Sequence, residues 1–149
     1  MDILLIQLGK IVLSVILGLF IGFERFQQDK PAGIRDVALV TLGATLFALV
    51  GLEFQNQANA DITRLLYAPI VGIGFMASGV IIQSKTKTKG LTSAGVLWAV
   101  VAIGLLCGIG KYILAIISSI IIYSILKLKH VTIKIKLQRT KRAKNNRKK

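Results

Sequence analysis

The sequence predicts an all-α membrane protein with about five transmembrane helices, and its composition and charge distribution lead to this prediction. Of the 149 residues, 54% are apolar and 17% are charged, and the mean hydropathy is +0.69. A soluble domain has about 25% charged residues, so a water-soluble enzyme is not expected. Of the 20 basic residues, 11 lie between Lys127 and Lys149. The chain is therefore an apolar body followed by a cationic tail.

Five stretches are candidates for helices that cross a hydrocarbon layer about 30 Å thick, which takes about 20 residues. They are residues 3–23, 37–52, 65–83, 91–109 and 112–126. Lys10 interrupts the first stretch near one end, where its long stem allows the ammonium group to reach the interface. The second and fifth stretches are short, which local thinning of the bilayer accommodates.

The basic residues also predict how the helices are oriented. Of the 20, 17 lie in the loop after the first stretch, the loop after the third stretch and the tail. The positive-inside rule places these segments in the cytoplasm and the N-terminus outside. Five spans put all three segments on one side, whereas four would separate them. We therefore expect a transmembrane domain over residues 1–128 and a disordered, basic cytoplasmic tail over residues 129–149.

Small residues predict where the helices pack, because close backbone approach drives helix association in lipid. The first and fourth stretches each carry a GxxxG pair, Gly18 with Gly22 and Gly104 with Gly108. The third stretch and the start of the fourth form a predicted helix-packing or pore-lining motif. This motif consists of Gly72, Gly74, Ser78, Gly79, Thr92 and Ser93. Its glycines, which follow Pro69, predict either a tight crossing or a break in the helix. Trp98 is expected to pack inside the bundle.

Charged residues concentrate where the first stretch ends and the second begins. The candidate functional cluster consists of Glu24, Arg25, Arg35 and Asp36. One interpretation is an interfacial ion-pair cluster that anchors a hairpin, in which Asp36 caps the second helix. Another is that Glu24 and Asp36 supply carboxylate oxygens to a metal ion, and Mg²⁺ needs few such ligands. Docking of a partner protein is a third. With no nucleophile–base pair in the sequence, no catalysis is expected.

The order and spacing of five motifs resemble the MgtC/SapB family of bacterial inner-membrane proteins. The motifs are Gly22–Arg25, Pro31–Arg35, Gly72–Gly79, Gly90–Ala94 and Leu97–Trp98. The resemblance implies a multi-pass plasma-membrane protein linked to growth when magnesium is scarce. It implies regulation of other membrane machinery, including the ATP synthase and magnesium transporters. It carries the family's acidic motif onto Glu24 and its Ala-Gly-Leu-Arg motif onto residues 32–35. The chain departs from the family pattern at Phe26, Asp36, Val37 and Ala68.

The expected function is modulation of magnesium homeostasis, or adaptation to low magnesium, by contact with other membrane machinery. The alternatives are a Mg²⁺ transporter or channel and, more weakly, a membrane anchor whose basic tail recruits an acidic partner. No cofactor is expected, apart from Mg²⁺ as a ligand or transported ion. The expected partners are the lipid bilayer, anionic lipids at the tail, another membrane complex and a second copy of the chain. Nucleic acid is not an expected partner, because the tail offers no aromatic side chain for base stacking.

Overall fold

The computed structural model describes residues 2–54, 61–83 and 88–128, and five helices lie within these ranges. They are α1 (Asp2–Gln27), α2 (Ile34–Glu53), α3 (Ile62–Gly79), α4 (Leu91–Gly108) and α5 (Tyr112–Leu128). The predicted all-α class is therefore confirmed. The predicted basic tail, residues 129–149, lies outside the described residues.

Helix lengths correct one detail of the prediction. By length and composition, α1, α2 and α4 are each able to cross a membrane. The second helix is not short, because it begins at Ile34 and has 20 residues. The shorter apolar helices are Leu66–Gly79, which is the apolar part of α3, and α5.

The first GxxxG pair packs α1 directly against α2. A Cβ atom added at Gly18 would lie 2.8 Å from Thr41 Oγ1, and one added at Gly22 would lie 2.7 Å from the Cα of Ile34. Real Cβ atoms do not approach other atoms so closely, so only glycine allows the two backbones to lie at this distance. The predicted packing role of this pair is confirmed.

The second GxxxG pair packs α4 against α2 in the same way. A Cβ atom at Gly104 would lie 2.7 Å from the Ala44 side chain, and one at Gly108 would lie 2.9 Å from the Thr45 carbonyl oxygen. The Thr45 hydroxyl also donates a hydrogen bond to the carbonyl oxygen of Gly104, at 2.9 Å. This bond joins the two helices, and the same hydroxyl lies 3.0 Å from the carbonyl oxygen of Thr41 in its own helix.

Polar contacts between the start of α1 and the ends of α2 and α4 give the relative directions of these helices. Lys10 Nζ donates to the carbonyl oxygen of Gly108 at 2.9 Å, which places a cation at the C-terminal end of α4. Gln7 donates to Glu53 at 3.2 Å. The start of α1 therefore lies beside the ends of α2 and α4, as alternating spans require. Which end faces the cytoplasm stays a prediction.

Helix α3 is continuous from Ile62 to Gly79 and contains Pro69, so the expected alternative of a broken helix is wrong. Asp61 caps it by accepting hydrogen bonds from the backbone amide and the hydroxyl of Thr63. The bond from this hydroxyl is the main cause that lowers the pKa of the exposed Asp61 carboxyl.

The glycines of α3 do not pack against any other part of the described chain. A Cβ atom at Gly72, Gly74 or Gly79 would meet nothing within 4 Å. Phe75, between them, is 80% exposed. This glycine-rich surface of α3 therefore lies open, and its predicted packing or pore-lining role stays a prediction.

Trp98 corrects another expectation, because it is 60% exposed instead of packed inside the bundle. The buried face of α4 includes Leu97, Val101 and Gly104, which follow one another at helical spacing. Trp98 shares the opposite face with Gly95, which is also exposed.

A short hairpin that no sequence pattern predicted lies between α3 and α4. Its strands are β1 (Ile82–Gln83) and β2 (Thr88–Lys89), which pair antiparallel with Ile82 opposite Lys89. Gly90 follows β2 with a φ of 87°, a left-handed conformation that glycine adopts without strain. The hairpin ends directly at the start of α4.

We predict that Gly104→Ala destabilises the bundle by about 1–3 kcal/mol, because the added methyl group overlaps α2. Gly95→Ala is the matched control on the same helix, since its Cβ atom would meet nothing within 4 Å. It should be neutral or stabilise by up to about 1 kcal/mol. Thermal unfolding of the purified variants in detergent tests both expectations. Equal unfolding temperatures for the two variants would contradict the packing described here.

Candidate functional site

Two adjacent charged residues are buried near the end of α1. Glu24 is 4% exposed and Arg25 is 3% exposed. Charged side chains are rarely buried to this extent, because loss of water destabilises a charge that has no partner. The pair therefore needs stabilisation, either by specific contacts within the protein or by a bound ligand.

Arg25 joins α1 to α4. Its Nη2 donates a buried hydrogen bond of 2.7 Å to the Ser93 hydroxyl, and its Nη1 lies 3.8 Å from Glu24 Oε2. The second distance corresponds to an ion pair and exceeds that of a hydrogen bond. Two buried polar atoms, Glu24 Oε2 and Arg25 Nε, have no hydrogen-bond partner within the described part of the chain. Ser93 thus anchors the pair, but two of the pair's polar atoms have no hydrogen-bond partner among the described residues.

The turn after α1 holds this pair in place. The amides of Gln28 and Lys30 both donate to the carbonyl oxygen of Arg25, each at 3.2 Å. Asp29, between them, has a φ of 50°. Ala32 is 1% exposed, so the following loop packs back onto the bundle. Together with the close approach of Gly22 to α2, this turn determines how deep Arg25 lies.

Arg35 and Asp36, the other two members of the candidate cluster, lie on the exposed start of α2. Asp36 Oδ2 accepts a hydrogen bond of 2.8 Å from the backbone amide of Gly33, so Asp36 caps its own helix, as one interpretation predicted. Glu24 and Asp36 thus have different surroundings. Among the described residues, no three His, Cys, Asp or Glu side chains form a metal-binding group. Metal binding by Glu24 and Asp36 stays a prediction.

A polar cavity of about 470 Å³ lies at this end of the bundle. Its lining includes Arg25, Lys30, Lys89, Thr92 and Ser93. Arg25 belongs to one predicted group and Thr92 and Ser93 to another, and the structure brings these three residues together. Lys30 and Lys89 were not among the predicted site residues, although Gly90 with Thr92 and Ser93 at a helix start was a usable signal for this cavity.

A second cavity, of about 310 Å³, is apolar and lies between α2, α3 and α4. Gly43, Ala68, Pro69, Gly72 and Met76 are among the residues that line it. Gly72 is thus the one glycine of the predicted α3 motif that lines either of these two cavities. An apolar groove of this kind accommodates lipid acyl chains or the side chains of another helix.

The helices and the buried pair together define a class of protein. A bundle of apolar helices packed through glycine, with its buried charges at one end, is an integral membrane protein. The chain belongs to the MgtC family, whose model matches residues 11–135.

Three relatives show how far this similarity extends. Protein MgtC of Salmonella typhimurium is 37% identical over 113 residues, which cover 76% of this chain and 48% of that protein. An uncharacterized protein of Synechocystis is 34% identical over 116 residues, covering 78% and 49%. Protein SrpB of Synechococcus elongatus is 31% identical over 122 residues, covering 74% and 67%. The chain thus spans about half the length of the first two relatives. No solved structure matches it.

We predict that Arg25→Met destabilises the protein by about 3 kcal/mol or more, because it leaves the Glu24 carboxylate buried without a counter-ion. The double variant Glu24→Gln/Arg25→Met should recover part of this loss, since it removes both charges. Arg35→Met is the control at an exposed arginine and should change stability by less than about 0.5 kcal/mol. Thermal unfolding in detergent measures all three. A double variant less stable than Arg25→Met would show that the ion pair is not coupled.

Proposed function

We propose that the protein modulates magnesium homeostasis, or adaptation to low magnesium, by contact with other membrane machinery. Membership of the MgtC family supports the connection with magnesium. The observation that carries the contact mechanism is the open, glycine-rich surface of α3. The proposal therefore concerns the exposed surface of α3, and the rest of the bundle acts as its scaffold.

The glycines of the GxxxG pairs and the glycines of α3 have different surroundings. At Gly104 and Gly22 the neighbouring helix fills the space where a side chain would be. At Gly74 and Gly79 the same space is open, and the adjacent Phe75 and Met76 are 80% and 52% exposed. Gly95 is equally open, but α3 carries three open glycines between residues 72 and 79. Each glycine lowers helix stability by about 1 kcal/mol relative to alanine. Close packing of another transmembrane helix on α3 would offset this loss.

The buried polar groups of the bundle favour a contact mechanism over ion transport. Its buried hydroxyl groups bond to helix carbonyls, as Thr41 does to Val37 at 2.7 Å and Ser119 to Ala115 at 2.7 Å. In the described ranges, the buried charged residues are Glu24 and Arg25, which lie at the end of α1. Ionisable groups near the centre of the membrane are characteristic of ion pathways. The described core contains hydroxyl groups that already donate hydrogen bonds to helix carbonyl oxygens.

We expect Gly74→Leu to abolish complementation of a strain that lacks this protein and grows poorly at low magnesium. The leucine fits the isolated fold, because a Cβ atom there meets nothing within 4 Å, but it blocks close approach of another helix. Gly95→Leu, at an equally open glycine of α4, is the matched control and should complement fully. Unfolding temperatures in detergent confirm that both variants are folded. Full complementation by folded Gly74→Leu would remove α3 as the contact surface. Normal growth of the deletion strain at low magnesium would remove the magnesium role itself.

We predict no saturable magnesium flux into proteoliposomes that contain the purified, folded protein, beyond that of empty liposomes. The physical reason is that Glu24, the buried carboxylate, lies 3.8 Å from the Arg25 guanidinium, whose positive charge opposes the binding of a cation. Glu24→Gln serves as the comparison. Saturable flux that Glu24→Gln abolishes would instead establish the transporter alternative.

A further inference from the structure

The polar cavity between the end of α1 and the start of α4 has a cationic lining. Arg25, Lys30 and Lys89 contribute three positive charges, and Asp29 contributes one negative charge. In a protein whose described helices are largely apolar, this is a local concentration of positive charge at the polar edge of the bundle. It attracts an anion.

The first turn of α4 forms another part of the cavity wall. Its N-cap is Gly90, and no side chain caps the helix. A Cβ atom at Gly90 would collide with the carbonyl group of Val80, whose carbon lies 2.8 Å away, so this position carries no side chain. The first helical hydrogen bond runs from the Ala94 amide to the Gly90 carbonyl oxygen, at 2.9 Å. The amides of residues 91–93 precede it and have no helical carbonyl to donate to.

Arg25 provides the second, independent observation. Its side chain is 3% exposed and lines the cavity. Its Nε has no hydrogen-bond partner among the described residues. Ser93 and Glu24 hold the guanidinium in place, so Arg25 brings a fixed positive charge to the wall of the cavity.

We propose that this cavity binds the phosphate group of a phosphate-bearing anion. Helix N-termini and guanidinium groups both donate hydrogen bonds in the geometry that tetrahedral oxyanions accept. Lys30 and Lys89 add charge at the rim, and the volume of about 470 Å³ admits a group much larger than a simple ion. The phosphate belongs either to a soluble compound or to a phospholipid headgroup, because the cavity lies where the helices end. The site is separate from the α3 surface, so its failure and that of the proposed function are distinguishable.

Two variants test the site without disturbing the Arg25 anchor. Thr92→Asp places a carboxylate in the first turn of α4, where it suits the helix dipole and occupies the position of the anion. Lys30→Gln/Lys89→Gln removes the two rim cations. The matched control is Arg64→Gln/Lys111→Gln, which removes two exposed cations outside the cavity. The full chain is used throughout, so the basic tail contributes equally to every variant.

The first arm titrates inorganic phosphate against the purified chain in an uncharged detergent and measures its unfolding temperature. The second arm measures retention of phosphatidylglycerol by native mass spectrometry, with phosphatidylcholine as the zwitterionic comparison. In at least one arm, we expect binding that Thr92→Asp abolishes, that the lysine double variant weakens about tenfold or more, and that the control leaves unchanged.

The two arms separate the sources of the phosphate. A saturable response to inorganic phosphate assigns the site to a soluble compound, and a response to phosphatidylglycerol alone assigns it to a lipid headgroup. Absence of binding in both arms would overturn the proposal. Binding that folded Thr92→Asp and the lysine double variant retain unchanged would also overturn it, since the anion would then bind elsewhere.

Discussion

Close contact of α2 with both α1 and α4 is the constraint on which the rest of the structure depends. Gly22 lies against the backbone of Ile34, and Gly104 lies against Ala44. Because Gly22 precedes Glu24 by two residues, the approach of α1 to α2 also determines how deep the charged pair lies. Because α4 approaches the same helix, Ser93 comes within 2.7 Å of Arg25. The site is thus a consequence of glycine packing in the bundle.

This dependence follows from the solvent. Lipid tails are as apolar as leucine, so burial of apolar side chains does not hold transmembrane helices together. Dispersion contacts at short range and hydrogen bonds such as that from Thr45 to Gly104 take over this role. The same reasoning explains why Phe75 and Trp98 are exposed at 80% and 60% in a stable fold. In water such residues would indicate instability, whereas here they face a medium that resembles a protein interior.

Features that depend on local sequence were predictable, and features that depend on tertiary packing were not. The GxxxG pairs, the cap at Asp36 and the number of helices follow from short-range patterns. The outward position of Trp98 does not, because α4 is apolar on every side and hydropathy then carries no information about its buried face. The bond between Arg25 and Ser93 joins residues 68 positions apart, and it exists only once α1 and α4 pack on α2. The cavity depends on that packing and on the hairpin before Gly90, which no periodic pattern indicated.

The two ends of α4 differ in how the helix dipole affects the nearest cation. Lys10 donates to Gly108 at the C-terminal end, where the helix dipole favours a cation. Arg25 lies at the N-terminal end, where the dipole disfavours one, and Glu24 offsets this only from 3.8 Å. A group whose sole task was to join α1 to α4 would be more stable there as a neutral or acidic side chain. An anion in the proposed cavity would offset this unfavourable position of a cation beside the N-terminus of α4.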